Sequence, residues 1–273
     1  MEENSKKLND LSGKEWVKFT KSWFVHDPPP RKGNEFLHPA KFPETMIKGF
    51  IKFFTKKENI VFDPFLGSGS TLVASMETGR NGIGIELMKK YAKISKERCS
   101  QESLFNSIKQ KVIEGDSSKI DEIWKENNLP EVDFIITSPP YWNMLKKSRG
   151  GVKSAQKKRQ EMGLDTHYSE DKRDVGNIDD YEVFIEKIGD IFDKTYEVLK
   201  RGKYMVVIIQ NVRTNGEVKP LAWDLQRRIS KKFTFVGEKI WCQDAKMLGI
   251  WGYPSTFVTN VHHHYCLVFQ KQK

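Results

Sequence analysis

A chain of 273 residues is long enough for one sizeable α/β core with an excursion, and short for two large independent domains. Lysine and arginine outnumber aspartate and glutamate by 46 to 36, a formal net charge of +10 that favours a polyanionic partner, nucleic acid first, over a membrane. Cys99, Cys242 and Cys266 lack paired or metal-ligand spacing, which argues against a disulfide framework or zinc site and for a reducing cytoplasm. The polar amino terminus lacks the apolar core of an export signal, and no segment approaches the roughly 18 apolar residues that span a bilayer.

In chain order, residues 1–35 carry few periodic apolar positions, and with the Pro28 to Pro30 run they read as an irregular amino-terminal arm. Regular patterning follows: a helix over Glu44 to Lys56, a strand over Ile60 to Asp63, a glycine-bearing turn, and a helix from Ser70 to Glu77. Gly82 to Glu86 reads as a second strand, followed by a lysine-rich helix, and Lys111 to Gly115 as a third. Asp133 to Thr137 reads as a fourth strand, apolar enough to be covered on both faces. Alternation stops over 143–178, where Lys146, Lys147, Arg149, Lys153, Lys157, Lys158 and Arg159 accumulate with no acid between them. It resumes over 179–273 with a helix at Tyr181 to Leu199, a strand at Tyr204 to Gln210, a helix at Leu221 to Lys231, and strands near 233–243 and 264–270. Strands alternating with helices imply a parallel, doubly wound α/β sheet.

The segment Asp63, Pro64, Phe65, Leu66, Gly67, Ser68, Gly69, Ser70 joins a strand to a helix, where a parallel sheet opens its ligand crevice. Gly67 and Gly69 let backbone approach a ligand, and the helix start offers amides to a carboxylate or phosphate. Alone, such a turn is more often only tight. Glu86, at the end of the next strand, can accept hydrogen bonds from both hydroxyls of a ribose. Asp116 and Ser117, ending the third strand, can meet an adenine amino group; either acid alone would read as a helix cap. Neither a spaced G-x-G-x-x-G nor a phosphate-binding G-x-x-x-x-G-K-[ST] occurs, so adenosine on a methionine sulfonium fits better than NAD, FAD or ATP.

After the fourth strand comes Ser138, Pro139, Pro140, Tyr141. The two prolines stiffen the turn and leave carbonyls without competing amides. A base amino group is a poor nucleophile because its lone pair is delocalised into the ring. Accepting its hydrogens through the Ser138 hydroxyl and Pro139 carbonyl frees that lone pair, while Tyr141 stacks on a flipped-out base at about 1 to 3 kcal/mol.

Together, the Asp63 to Gly69 turn and the Ser138 to Tyr141 turn resemble the amino-group DNA methyltransferases, the N4-cytosine and N6-adenine enzymes of bacterial modification systems. The resemblance extends over most of the chain. His38 and Pro39, in the segment ending at Pro43, resemble the family stretch lying against the methionine end of the cofactor. The residues His264 to Phe269 resemble its last, antiparallel strand. What the resemblance implies is a Rossmann-like class I methyltransferase with a seven-stranded sheet and an insertion, using S-adenosyl-L-methionine and duplex DNA, with base flipping and a cognate restriction endonuclease as partner. Oligomeric state is not legible, and no metal is implied.

Serine at the head of the tetrapeptide accompanies cytosine N4 in this family, and aspartate or asparagine adenine N6. Cytosine N4 is therefore the expected target, with adenine N6 or an RNA amino group as alternatives. Carbon-5 chemistry would need a Pro-Cys pair, which is missing. Cofactor half and catalytic turn occupy 36–142 in that order, the reverse of many N4-cytosine members. With no large recognition domain after the last strand, target reading is assigned to 143–178, whose basic cluster also suits phosphates. His262, His263 and His264 alternate faces in a strand and read as strand-entry residues rather than a metal site. Trp241, Trp251 and Tyr253 read as core cover in preference to a wall of the base pocket, and Asn211 equally as a crevice residue or a loop cap.

Overall fold

The central strands are apolar at consecutive positions, and their alternation sends side chains into two separate cores. Phe62, Ile135, Met205, Val207, Ile209, Leu267 and Phe269 point into one, and Val61, Phe134, Ile136, Val206, Ile208, Cys266 and Val268 into the other. A computed structural model describes residues 7–27, 42–102, 108–142, 171–214 and 216–273. Its first half comprises α1 (Gly13–Phe19), β1 (Trp23–Val25), α2 (Glu44–Phe54), β2 (Ile60–Asp63), α3 (Ser70–Glu77), β3 (Asn81–Glu86), α4 (Lys89–Glu102), β4 (Gln110–Glu114), α5 (Ile120–Glu126) and β5 (Val132–Thr137). Then come α6 (Tyr181–Val198), β6 (Leu199–Ile209), the small hairpin β7 (Val212–Thr214) and β8 (Glu217–Lys219), α7 (Leu221–Ile229), β9 (Thr234–Cys242) and β10 (His263–Gln270).

The main sheet has eight strands in the order β1-β9-β10-β6-β5-β2-β3-β4. All neighbours are parallel except β10, which runs antiparallel to both β9 and β6. The carboxyl ends of β2, β3, β4, β5, β6 and β9 therefore lie along one rim, together with the start of β10. Helices α6 and α7 supply Phe184, Ile188, Phe192 and Leu225 to the first core, and α2 supplies Ile47, Phe50, Ile51 and Phe54 to the second.

The amino-terminal stretch departs from the sequence expectation, as do α5 and the β7–β8 hairpin, which the alternation does not mark. The sheet has one strand more than the seven implied, and the extra strand, β1, lies in the stretch read as an irregular arm. Its short, half-exposed pattern carries no alternation signal, but it pairs in parallel with β9 and covers that edge. The preceding α1 does have a sequence signature, a capping box in which Ser12 and Glu15 bond each other's backbone amides. Helix α1 docks by aromatic contact: the Phe19 ring stacks on Phe53 at 4.2 Å.

Helices α6 and α7 are clamped by Arg228, whose side chain is buried and bonds Glu186, Asp190 and Asp193 at 2.7 to 2.8 Å. A side chain on Gly189 would collide with the guanidinium. Because the three carboxylates are partly exposed and can rehydrate, Arg228→Met is expected to cost about 2 kcal/mol rather than the full penalty of a stranded buried charge. Urea unfolding of the variant measures this.

Candidate active site

The glycine turn is built around Asp63 at the end of β2. Its buried carboxylate accepts from the Phe65 amide at 2.9 Å, the Thr71 hydroxyl at 2.6 Å and the Thr137 hydroxyl at 2.5 Å. Burial raises its pKa, and these three donors pull it back. Asp63 thereby ties the turn, the first turn of α3 and the tip of β5 together, a holding position rather than an open binding surface.

Gly67 and Gly69 both have positive φ, 58° and 89°. At Gly69 a second constraint applies, since a Cβ would lie 3.0 to 3.1 Å from Ser95 of α4. Its bareness lets α4 approach the turn. Ser95 donates to the Gly67 carbonyl and Arg98 to the Ser68 carbonyl, which fixes the loop from behind. Helix α3 starts at Ser70 with no side-chain cap. Among the described residues the Ser70 hydroxyl is buried without a hydrogen-bond partner.

Glu86 closes β3. One carboxylate oxygen accepts from the Gly67 amide and the other from the Met88 amide, each at 2.8 Å. Burial pushes its pKa up to about 7 against those two amides, with Asp63 and Asp174 adding repulsion. Two amides leave lone pairs on both oxygens for further donors. Asp116 caps a short 3-10 turn through the Ser118 amide at 2.8 Å, and the Ser117 hydroxyl bonds the Pro64 carbonyl. For Asp116 the capping role is thus real, and its side chain still faces the same crevice.

These residues line one pocket that opens to solvent. Asp63, Pro64, Phe65, Gly67, Ser68, Ser70, Glu86, Asp116 and Ser117 border it from β2, β3 and β4, while Ser138 and Pro140 border it from β5. The Ser138 hydroxyl donates to the Tyr141 oxygen at 3.2 Å, which donates to the Ile208 carbonyl at 3.3 Å. Tyr141 is 9 % exposed and is held beside His264, ring centroids 6.0 Å apart. Its face is therefore covered, unlike the open platform expected from sequence.

Several residues here escaped the sequence reading. Arg173, Asp174 and Val175 line the pocket although they belong to the stretch assigned to target reading. A Cβ on Gly176 would sit 3.1 Å from Pro140, so this returning segment packs directly on the Ser138 to Tyr141 turn. The available signal was the Asp-x-Gly spacing, in which Asp174 accepts from the Gly176 amide. Phe42 also borders the pocket and contacts Trp241 and His264. Asn211 is a cap, accepting from the Ala222 amide at the start of α7. His38 and Pro39 lie outside the described residues, as do Lys146, Lys147, Arg149, Lys153, Lys157, Lys158 and Arg159.

The reading as core cover holds for Trp241 and needs correction for Trp251 and Tyr253. Trp241 is buried, but Trp251 is 44 % and Tyr253 82 % exposed. The loop carrying them is braced on itself rather than laid on the core. His264 is half-buried near the start of β10 and stacked on Trp241 at 4.6 Å, and loss of solvent around the ring pushes its pKa down to about 3.

A parallel sheet with an antiparallel final strand, and a crevice where strand tips carrying Gly67, Glu86 and Ser138 converge, define a Rossmann-like methyltransferase fold. The chain belongs to the N6/N4 DNA methylase family, which matches residues 1–97 and 132–273. It is similar to the Type II methyltransferase M.BglI of Bacillus subtilis, 40% identical over 87 residues, 32% of this chain and 24% of that protein. The orphan methyltransferase M.BamHII of Bacillus amyloliquefaciens is 43% identical over 63 residues, 23% of this chain and 24% of that protein. The chain thus spans about a quarter of the length of these curated relatives. TrmN from Thermus thermophilus superposes over 79% of this chain and 44% of its own, at 15% identity and a TM-score of 0.48. Among the described residues no helix is long and apolar enough to cross a membrane.

S-adenosylmethionine fits the residues present. The partnerless Ser70 hydroxyl and uncapped start of α3 suit its carboxylate, and the spare lone pairs of Glu86 suit a ribose. Only ionised Glu86 accepts from hydroxyls at full strength, and its pKa lies near 7. Cofactor affinity is therefore expected to rise about tenfold from pH 6 to pH 8, a dependence that Glu86→Gln removes. Calorimetric titration across that range checks it.

Proposed function

We propose that this protein is an S-adenosylmethionine-dependent DNA methyltransferase acting on the exocyclic amino group of a flipped base, with cytosine N4 the favoured target. The observation that carries the reading is the side-chain link between adjacent strand tips: Thr137 of β5 donates to Asp63 of β2, so Ser138 and the glycine turn border one crevice. S-adenosylmethionine supplies, when bound, an electrophilic methyl carbon on sulfur.

Every other contribution comes from the chain itself. Ser70 and the first amides of α3 hold the carboxylate end, and Glu86 the ribose. Because the Ser138 proton is engaged by Tyr141, the serine oxygen turns its lone pairs to the pocket and acts as acceptor for the amino hydrogens. The Pro139 carbonyl is the second acceptor. As the new carbon–nitrogen bond would form, the methyl carbon–sulfur bond would break with its electron pair left on sulfur, and the amino nitrogen held by Ser138 and Pro139 would lose one proton to solvent. Stacking by Tyr141 requires the entering base to displace what now covers the ring. The basic residues from Lys146 to Arg159 supply phosphate contacts, with a cognate restriction endonuclease as functional partner.

Serine at position 138 supports cytosine over adenine, since the family pattern couples that residue to N4. Digestion of DNA methylated by the purified protein, followed by nucleoside mass spectrometry, is expected to yield N4-methylcytosine. A product of N6-methyladenine would retain the mechanism and replace the target. Equal labelling of tRNA and duplex DNA from tritiated cofactor would overturn the DNA assignment.

A further inference from the structure

The connection between β9 and β10 combines two properties that rarely coexist in a solvent-facing loop. It is internally ordered: the Asn260 side chain accepts from the Gly249 amide at 2.8 Å and the Trp251 indole at 3.1 Å, and donates to the Gly249 carbonyl at 2.9 Å. Gly252 at φ +73° accepts from the Ser255 and Thr256 amides to close a second turn, where a Cβ would strike the Thr256 carbonyl. Yet its large apolar side chains face outward. Met247 is 89 %, Ile250 and Phe257 each 87 %, Tyr253 82 % and Leu248 76 % exposed, and no other described large hydrophobic exceeds 69 %. Scattered exposed apolar residues need no explanation, but a braced loop concentrating all the most exposed ones does.

Its position gives the reason. The loop springs from the carboxyl rim of the sheet, and its root is one side chain from the catalytic turn: His264 stacks on Trp241 and lies beside Tyr141. Along that rim the cofactor-type crevice covers β2, β3 and β4, Ser138 stands at the tip of β5, and the apolar loop rises beyond β6. The loop thus stands on the side of Ser138 away from the crevice. Extruding a base costs a few kcal/mol of stacking, and apolar wedges that enter the vacated step recover part of it.

We infer that the loop over residues 244–262 is a duplex wedge, which inserts apolar side chains from Ile250, Tyr253 or Phe257 into the stack beside the extruded base. This rests on the proposed DNA-modifying function and adds to it the element that opens the helix. The net charge of +10 favours DNA over an apolar protein partner as the occupant.

The test uses the full chain with a non-reactive cofactor analogue and fluorescein-labelled random-sequence duplexes, either intact or with one central abasic site. An abasic step is already vacant, so the wild type is expected to bind it about tenfold tighter than the intact duplex, the unstacking cost being absent. The triple variant Ile250→Ser, Tyr253→Ser, Phe257→Ser is expected to lose that preference while binding single-stranded DNA as before. Asn260→Ala, which unbraces the loop but keeps its apolar side chains, is expected to weaken the preference, and melting temperatures report on folding. A wild type without the preference, or a triple variant that retains it, overturns the wedge. So does a wild-type dimer that the triple variant converts to monomer with DNA binding unchanged, since the patch would then be a protein interface. Methyl transfer to DNA is scored separately: abasic preference without transfer sinks the proposed function and leaves the wedge standing.

Discussion

Ser138→Ala is expected to lower kcat by roughly a hundred- to a thousandfold while leaving cofactor affinity within about twofold. The serine oxygen sits at the pocket border with its proton engaged by Tyr141, so its removal deletes the acceptor proposed for the amino hydrogens and no contact to the glycine turn. Loss of an acceptor that acts as nitrogen changes hybridisation appears in kcat rather than in binding. Single-turnover transfer of tritiated methyl groups to unmodified DNA, paired with calorimetric cofactor titration, separates the two quantities. An unchanged single-turnover rate would remove Ser138 from the chemistry. Tyr141→Phe offers a graded companion: it frees the Ser138 proton and cuts the tie to the Ile208 carbonyl while preserving the ring. A loss of about tenfold is expected, since the serine must then choose between donating and accepting.

Asp63→Ala is expected to act on a different link of the chain, the architecture of the pocket. Three donors, the Phe65 amide and the Thr71 and Thr137 hydroxyls, converge on this buried carboxylate. Truncation leaves all three without it and unties β2 from β5 at the point where cofactor crevice and catalytic turn meet. A cost of about 2 to 5 kcal/mol is expected, because the two hydroxyls left behind are buried and the amide partly so. Asp63→Asn keeps one acceptor oxygen and should fall between variant and wild type. Denaturant unfolding gives the stability difference, and calorimetry should show cofactor affinity falling with it. An alanine variant of native stability that binds cofactor normally would show that Asp63 does not organise the turn.

These two positions illustrate how much of the site was legible beforehand. Local chemistry was enough to single out Asp63, Glu86, Asp116 and Ser138, because strand tips followed by glycine or proline turns concentrate functional groups whatever the tertiary arrangement. Their actual partners were not legible. Asp63 meets Thr137, 74 residues away, and Glu86 meets the Gly67 amide, 19 residues away, and only the stacking of parallel strands puts those pairs in contact. Gly69 was singled out for ligand approach, and the structure adds a second constraint, the close passage of Ser95 on a helix whose packing the sequence does not announce. Arg173, Asp174 and Gly176 were missed because they lie some thirty-five residues beyond the turn they pack against, and nothing local marks the return.

Most of the strand and helix alternation on either side of residues 143–178, the parallel core and the identities at the strand tips were determined by sequence alone, since periodicity and turn chemistry act over a few neighbouring residues; the helix Ile120–Glu126 and the β7–β8 hairpin were not. Tertiary structure decided everything that depends on register between distant segments. It recruited residues 23–25 as an eighth strand, turned the Tyr141 ring under cover, and set Trp251 and Tyr253 outward on a braced loop instead of inward as core. The physical reason is common to all three: a side chain's hydropathy states what its burial is worth, but which surface arrives to bury it is settled by long-range strand order, and a hydrogen-bonded loop can hold apolar groups in water where a pattern of residues would place them inside.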